Sequence, residues 1–304
     1  MYCKVKEQMT VSVSMEQVCR EFGITRQAHY QQLKQEEQQQ AKHETVLELV
    51  RQIRRKHPRM GGRKVLFKIR PMLAAEGLTI GRDRFFSLLQ GKNMLVEPKK
   101  AYRRTTQAGL WRAPNLLPGL AISQPNQVWV CDITYLELQA GKFAYLFLLM
   151  DLFSRCILGW QVTASLAAEG ALECLAMAFR GLAGSHPGLI HHSDHGVQYT
   201  SHVYRDTLIA NQARPSMGAV GNCYDNIFAE RLIGILKDEY LLDVPFVEYA
   251  QVRPAVGQAV HLYNTDRPHL SLQMATPTQV FYGHQDNVPA LIIPQKEAVV
   301  TADS

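Results

Sequence analysis

Three apolar blocks, Val128–Leu136, Phe143–Met150 and Cys156–Val162, follow one another closely, and a carboxylate, Asp132, is set inside the first. Short apolar runs bounded by turn residues read as strands, the first two joined by a turn at Gln139–Lys142. An aspartate within such a strand is costly to bury unless it is paired or binds metal. Downstream, the pattern alternates. Glu169–Leu182 reads as a helix and Leu189–His192 as a short strand running into Ser193-Asp194-His195-Gly196. A helix at Ser201–Gln212, a short strand at Pro215–Met217 and a helix at Ile227–Leu242 follow. A last helix over Val247–Tyr263 is open to a kink or split at Pro254. Three strands, then alternating helix and strand, then helices, is an α/β arrangement.

Within this frame three acids hold distinctive places. Asp132 sits in Trp129-Val130-Cys131-Asp132-Ile133-Thr134-Tyr135. Asp194 follows a strand at its carboxyl end, where α/β sheets place ligands. Glu230 lies near the start of a helix, in Asp225-Asn226-Ile227-Phe228-Ala229-Glu230. Converging carboxylates suit a hard divalent ion, and Mg²⁺ keeps positions for water and phosphate oxygens. Asp151, also at a strand end, is assigned a structural role or one supporting the site from behind the three acids.

Asp132 and Asp194 are separated by 61 residues, and Asp194 and Glu230 by 35. This spacing resembles the D,D(35)E pattern of retroviral integrases and of transposases in the IS-three insertion-sequence family. The surrounding words resemble that family more specifically. His192-Ser193-Asp194-His195-Gly196-Val197-Gln198-Tyr199 is similar to its segment at the second aspartate, and Gly221-Asn222-Cys223-Tyr224-Asp225-Asn226 to its segment before the glutamate. Asp151-Leu152-Phe153-Ser154-Arg155 and Tyr263-Asn264-Thr265-Asp266-Arg267-Pro268-His269 are similar to two further signatures. The likeness spans about Arg51–Tyr282. It implies a ribonuclease H-like catalytic core, a mixed five-stranded sheet flanked by helices. It also implies a transposase that cleaves 3′ ends at terminal repeats and joins them to DNA. Asp132, Asp194 and Glu230 would be both catalytic residues and metal ligands, with Mg²⁺ as cofactor and Mn²⁺ able to substitute. Asn226 and His195 are expected beside that metal site. Lys237, two helical turns beyond Glu230 on the same face, is expected to hold a phosphate of the bound end. The expected partners are duplex DNA, as terminal repeats and target, and further copies of the chain.

Charge divides the chain. Residues 1–126 hold 23 Lys and Arg against 10 Asp and Glu, a net +13; residues 127–304 hold 10 against 17, a net −7. A basic half joined to an acidic half suggests an arm for a polyanion and a body with another task. In the basic half, Ser14 and Gln17 form a capping-box pattern for a helix reaching Phe22, Gly23 breaks it, and Thr25 can cap a second helix from Arg26 to about Lys34. Helix, Gly-containing turn and helix make an all-α helix-turn-helix pattern, with Arg26 and Gln27 placed for DNA. Glu36–Gln40 reads as a linker or a solvated helix. A second basic pair is expected at about Arg63–Ala75 and Arg82–Gln90, offering Arg63, Lys64, Arg82 and Arg84. In the Pro- and Gly-containing stretch that follows, Lys99, Lys100, Arg103 and Arg104 can track a phosphate backbone. The expected domains are a helix-turn-helix at 1–42, a second such domain at 43–98, a basic linker at 99–126, the catalytic core at 127–284 and a flexible tail at 285–304.

Other classes are disfavoured. No long apolar run or secretory leader is visible, which suggests a cytoplasmic, nucleoid-associated bacterial protein. Six scattered cysteines without a C-x-x-C pair suit reduced thiols. His191, His192, His195 and His202 straddle strand and loop, and no cysteine nearby completes a zinc site.

Overall fold

The computed structural model describes residues 15–97, 111–182, 186–218, 226–283 and 288–295. The chain divides into two compact units, one drawn from residues 1–55 and 65–95, the other from 56–64 and 96–304.

The first unit is helical. α1 (Met15–Glu21) turns at Gly23, whose φ of 63° is one that glycine adopts without cost, into α2 (Arg26–Lys56). Thr25 caps α2 by accepting from the backbone N–H of Ala28 at 3.1 Å. Ser14, the cap expected for α1, lies outside the described residues. α2 runs unbroken through Glu36–Gln40, so this stretch is the solvated helix of the two readings, and no break separates 1–42 from 43–98. Only from Val46 onward does α2 bury side chains. α3 (Gly62–Ala75) and α4 (Arg82–Gly91) supply Val65, Leu66, Ile69, Leu73, Phe85 and Leu89 to the core. α4 starts at Gly81 with no side-chain cap.

The second unit is built on a sheet in the order β4-β3-β2-β5-β6. β2 (Val128–Leu138) and β3 (Lys142–Asp151) form the expected hairpin, closed by a one-turn helix at Gln139–Gly141 in which Ala140 and Gly141 take φ of 62° and 69°. β4 (Ile157–Thr163) adds antiparallel to β3, while β5 (Ile190–Ser193) and β6 (Arg214–Met217) add parallel on the other side. α5 (Ala168–Arg180), α6 (Val197–Thr200) and α7 (His202–Ala210) line one face with Trp129, Cys131, Phe147 and Leu149. α8 (Ile227–Glu239) and α9 (Tyr249–Thr265), followed by α10 (Pro277–Phe281), cover the other with Val128, Val130, Leu136 and Leu148. This mixed five-stranded sheet between helical layers is the ribonuclease H-like arrangement. α9 continues through Pro254, which stands in its second turn.

Two expected boundaries shift. The described part of the linker, from Trp111, is packed against the core. Leu117 and Ile122 are buried, and the Leu116 N–H donates to Ser216 Oγ at 2.9 Å. β1 (Ala121–Ile122) pairs antiparallel with β7 (Leu291–Ile292), so residues assigned to the tail close a second small sheet. Lys99, Lys100, Arg103 and Arg104 lie outside the described residues. Among the described residues no helix is long and apolar enough to cross a membrane.

Candidate active site

The candidate site lies where β2 outruns its parallel neighbour. β5 pairs with β2 only at Val128, Trp129 and Val130, with Val130 opposite His192. Two residues beyond the last of these pairs stand Asp132, still within β2, and Asp194, just past the end of β5. Val130 and Leu136 face the α8–α9 layer, and strand alternation turns Asp132 to the same side. Burial pushes the Tyr199 phenol up, and the charges of Asp194 and Asp132 both add to that rise, so both carboxylates act on one buried ring. Asp194 also accepts the Gly196 N–H at 2.9 Å, which shapes the turn out of β5.

Glu230 is on the first turn of α8 and is exposed. The start of that helix is tied to β2: Asn226 Nδ2 donates to the Cys131 carbonyl at 3.1 Å, one residue from Asp132. Among the described residues no three His, Cys, Asp or Glu side chains close into a metal-binding group. The structure sets the two aspartates two residues past the paired stretch of β2 and β5, and holds Glu230 on the first turn of α8 without bringing the three into a cluster. Asn226 Oδ1 and His195 Nδ1 are buried atoms without a hydrogen-bond partner, His195 Nε2 being engaged with the Gly218 carbonyl. Because that carbonyl only accepts, Nε2 is the donor of this contact. Carboxylates of a hard-ligand kind, beside unfilled polar atoms that a hydrated ion's waters could satisfy, fit Mg²⁺.

Lys237 is only 7% exposed. Its ammonium lies 4.7 Å from the centre of the Tyr135 ring; burial lowers its pKa, and the charge of Asp132 opposes that shift. Tyr135 bears no signal in the sequence that would single it out. Arg26, Gln27, Arg82 and Arg84 are exposed on the helical unit, and Arg63 is exposed on residues 56–64 of the second unit. Arg82 also lies over the Phe86 ring, and Arg84 donates to Gln39. Lys64 departs from expectation. Its Nζ pairs with Glu239 Oε1 at 2.7 Å, and Arg267 donates to the same carboxylate from Nε and Nη2 at 2.7 and 2.8 Å. A desolvated ammonium needs a counter-charge, and Glu239 provides it within the second unit. Beside it, His57 is fully buried between Tyr240 Oη (3.1 Å) and Asp266 Oδ2 (2.8 Å). The Tyr263–His269 signature thus anchors residues 56–64, a role without any local sequence marker.

The remaining histidines have separate partners: His191 Nε2 meets Tyr204 Oη at 2.9 Å, and His192 Nδ1 meets Ser216 Oγ at 2.9 Å. Asp151 is fully buried and accepts from Asn126 N, Ser154 N and Ser154 Oγ, which gives it the structural part assigned to it.

The integrase core domain family matches residues 122–223 and, as a second integrase core domain description, residues 211–277. The chain is 31% identical over 264 residues to the 31 kDa protein of insertion element IS600 of Shigella sonnei, covering 86% of this chain and 96% of that one. It is 30% identical over 243 residues to the transposase for insertion sequence element IS904 of Lactococcus lactis, covering 79% and 94%. Among solved structures it is similar to the HTLV-2 integrase catalytic core domain in complex with magnesium, at 20% identity and a TM-score of 0.41 over 55% of this chain and 99% of that one. With its integrase core and relatives matched across nearly their full length, the chain belongs to the transposases of bacterial insertion sequences.

Proposed function

We propose that the chain cleaves the 3′ ends of its insertion sequence and joins them to target DNA with Asp132, Asp194 and Glu230 holding Mg²⁺, for which Mn²⁺ can substitute. The observation that supports this reading is that Asp132 and Asp194 follow the paired stretch of β2 and β5 by two residues each, while Asn226 ties the start of the helix bearing Glu230 to Cys131, beside Asp132. When bound, the ion supplies Lewis-acid stabilisation of the charge that builds on attacking and leaving oxygens. The chain's own groups do the rest. The carboxylates of Asp132 and Asp194 set the place of the scissile phosphate, and Glu230 closes over it from α8. Asn226 and His195 offer polar atoms to ordered water there. Lys237, desolvated beside Asp132, offers a cation to a phosphate of the end. The leaving 3′ oxygen of the first cut becomes the attacking group of the second step, so no covalent link to protein is needed.

DNA is held by the basic helices, through Arg26, Gln27, Arg63, Arg82 and Arg84, with Lys99, Lys100, Arg103 and Arg104 beyond them along the chain. The partners are duplex terminal repeats and target DNA, engaged by more than one copy of the chain in the bacterial nucleoid. Labelled terminal-repeat duplexes incubated with Mg²⁺ test the reading: the expected products are nicked 3′ ends and joined strands. Binding without cutting would mark a regulator on an integrase-like fold, and cutting without joining a nuclease.

A further inference from the structure

Arg155 closes the turn after β3 with φ of 63°, a left-handed conformation in which an L side chain is strained and glycine or asparagine is the ordinary choice. The turn does not need a guanidinium. Its anchor is Asp151, already filled by Asn126 and Ser154. The guanidinium is nevertheless taken out of water. Burial lowers its pKa, and Nη1 is buried without a hydrogen-bond partner. Strain, desolvation and an unfilled donor all oppose arginine at this position, so something else must favour it. Tyr263 and the buried Asp151 carboxylate favour its charge, and the guanidinium itself is seated on Phe228: the Arg155 Cζ lies 4.7 Å from that ring's centre, a cation–π contact of the kind that gains strength when desolvated. Phe228 is the second residue of α8, two before Glu230.

The first turn of α8 therefore has two handholds on the sheet. Asn226 ties it to the Cys131 carbonyl next to Asp132, and Phe228 ties it to the turn after β3. On a helix, residues two apart point to nearly opposite sides, so fixing the azimuth of Phe228 fixes that of Glu230. We propose that Arg155 is a positioning residue for the DNA-cleaving centre, orienting Glu230 toward Asp132 and Asp194 through its seat on Phe228. The proposal rests on the reading of Glu230 as a metal ligand.

Mn²⁺ binding to the full chain, followed by titration calorimetry beside a thermal melt, tests it. Arg155→Gly removes the guanidinium and relieves the left-handed strain, but also takes positive charge from buried Asp151, so its melt is read beside its Mn²⁺ affinity. Mn²⁺ affinity should fall roughly 10-fold or more, as when an outer partner of a metal ligand is lost, while affinity for terminal-repeat duplex is unchanged. Phe228→Leu keeps the apolar packing and should reproduce the loss, which serves if Arg155→Gly does not fold. Glu230→Gln should weaken Mn²⁺ binding, and adding Arg155→Gly to it should weaken it no further. If Glu230→Gln lowers affinity but Arg155→Gly and Phe228→Leu leave it at wild type, the positioning role is overturned and the metal reading stands. If Glu230→Gln binds Mn²⁺ as wild type does, the metal reading of Glu230 fails and the positioning role with it.

Discussion

Asp132 and Asp194 each stand two residues beyond the last pair of a short parallel ladder, because β5 meets β2 only at Val128, Trp129 and Val130. Asp132 stays in the sheet through its pairing with Leu148 of β3, and Asn226 ties the start of α8 to the residue before it. Replacing a ligand should cost more than the roughly 100-fold that loss of an outer partner costs a metal site. Asp132→Asn, Asp194→Asn and Glu230→Gln should each bring cleavage and joining to background while terminal-repeat binding persists. Gel assays of binding, nicking and joining on the same labelled ends check this. Near-normal nicking in one variant would remove that residue from the site.

A tight approach between layers gives a second expectation. A Cβ on Gly159 of β4 would lie 2.2 Å from the Cys174 carbonyl of α5, which is backbone and has nowhere to go. Gly159→Ala should destabilise the fold by about 1–3 kcal/mol, the range for overpacking. A fall in denaturant midpoint at unchanged slope reports it; an unchanged midpoint would mean α5 is free to lift.

Glu239 gives the protein a specific acid sensitivity. Burial alone would raise its pKa, but hydrogen bonds and charge from Arg267, with the charge of Lys64, bring it below the ordinary value. A carboxylate depressed in the folded state contributes stability that is full above its unfolded pKa, about 4.3, and is lost as pH falls through the folded value. Glu239→Gln leaves two buried cations uncompensated and should cost about 3–5 kcal/mol at neutral pH. The gap between wild type and variant should narrow below about pH 4. Denaturant melts across pH test the sign, and a gap that widens in acid would refute it.

The catalytic unit was largely legible because its signals are local. The apolar blocks of β2, β3 and β4 are dense, and the residues around Asp194 and Glu230 are distinctive words. What escaped depends on distant partners or on competing preferences. β1 and β7 are two residues each and exist only by pairing across the chain, so neither carries a periodic signal. Glu36–Gln40 reads equally as a linker or a solvated helix because it has no apolar face to decide the matter; polar Gln and Glu are good helix formers, and α2 continues through them. The seat of Arg155 shows only in the ring 73 positions away in sequence.

Lys64 and Arg63 are neighbours in sequence with different fates, and this separates stability from DNA binding. Arg63 is exposed, whereas the Lys64 ammonium is committed to Glu239 at 2.7 Å. Counterion release makes the salt dependence of binding a count of phosphates contacted, with a slope of about −0.9 per phosphate on duplex DNA. If about eight phosphates are engaged, the log–log slope of terminal-repeat binding should be near −7. Arg63→Ala, Arg82→Ala and Arg84→Ala should each weaken binding and reduce the slope by about one. Lys64→Ala should leave the slope unchanged and lower the melting temperature instead, since it removes one counter-charge from Glu239. Salt titrations on repeat and scrambled duplexes, run beside thermal melts of the same four variants, decide the matter. A slope reduced in Lys64→Ala without loss of stability would return Lys64 to the DNA interface, and unchanged slopes in all three arginine variants would move that interface off these helices.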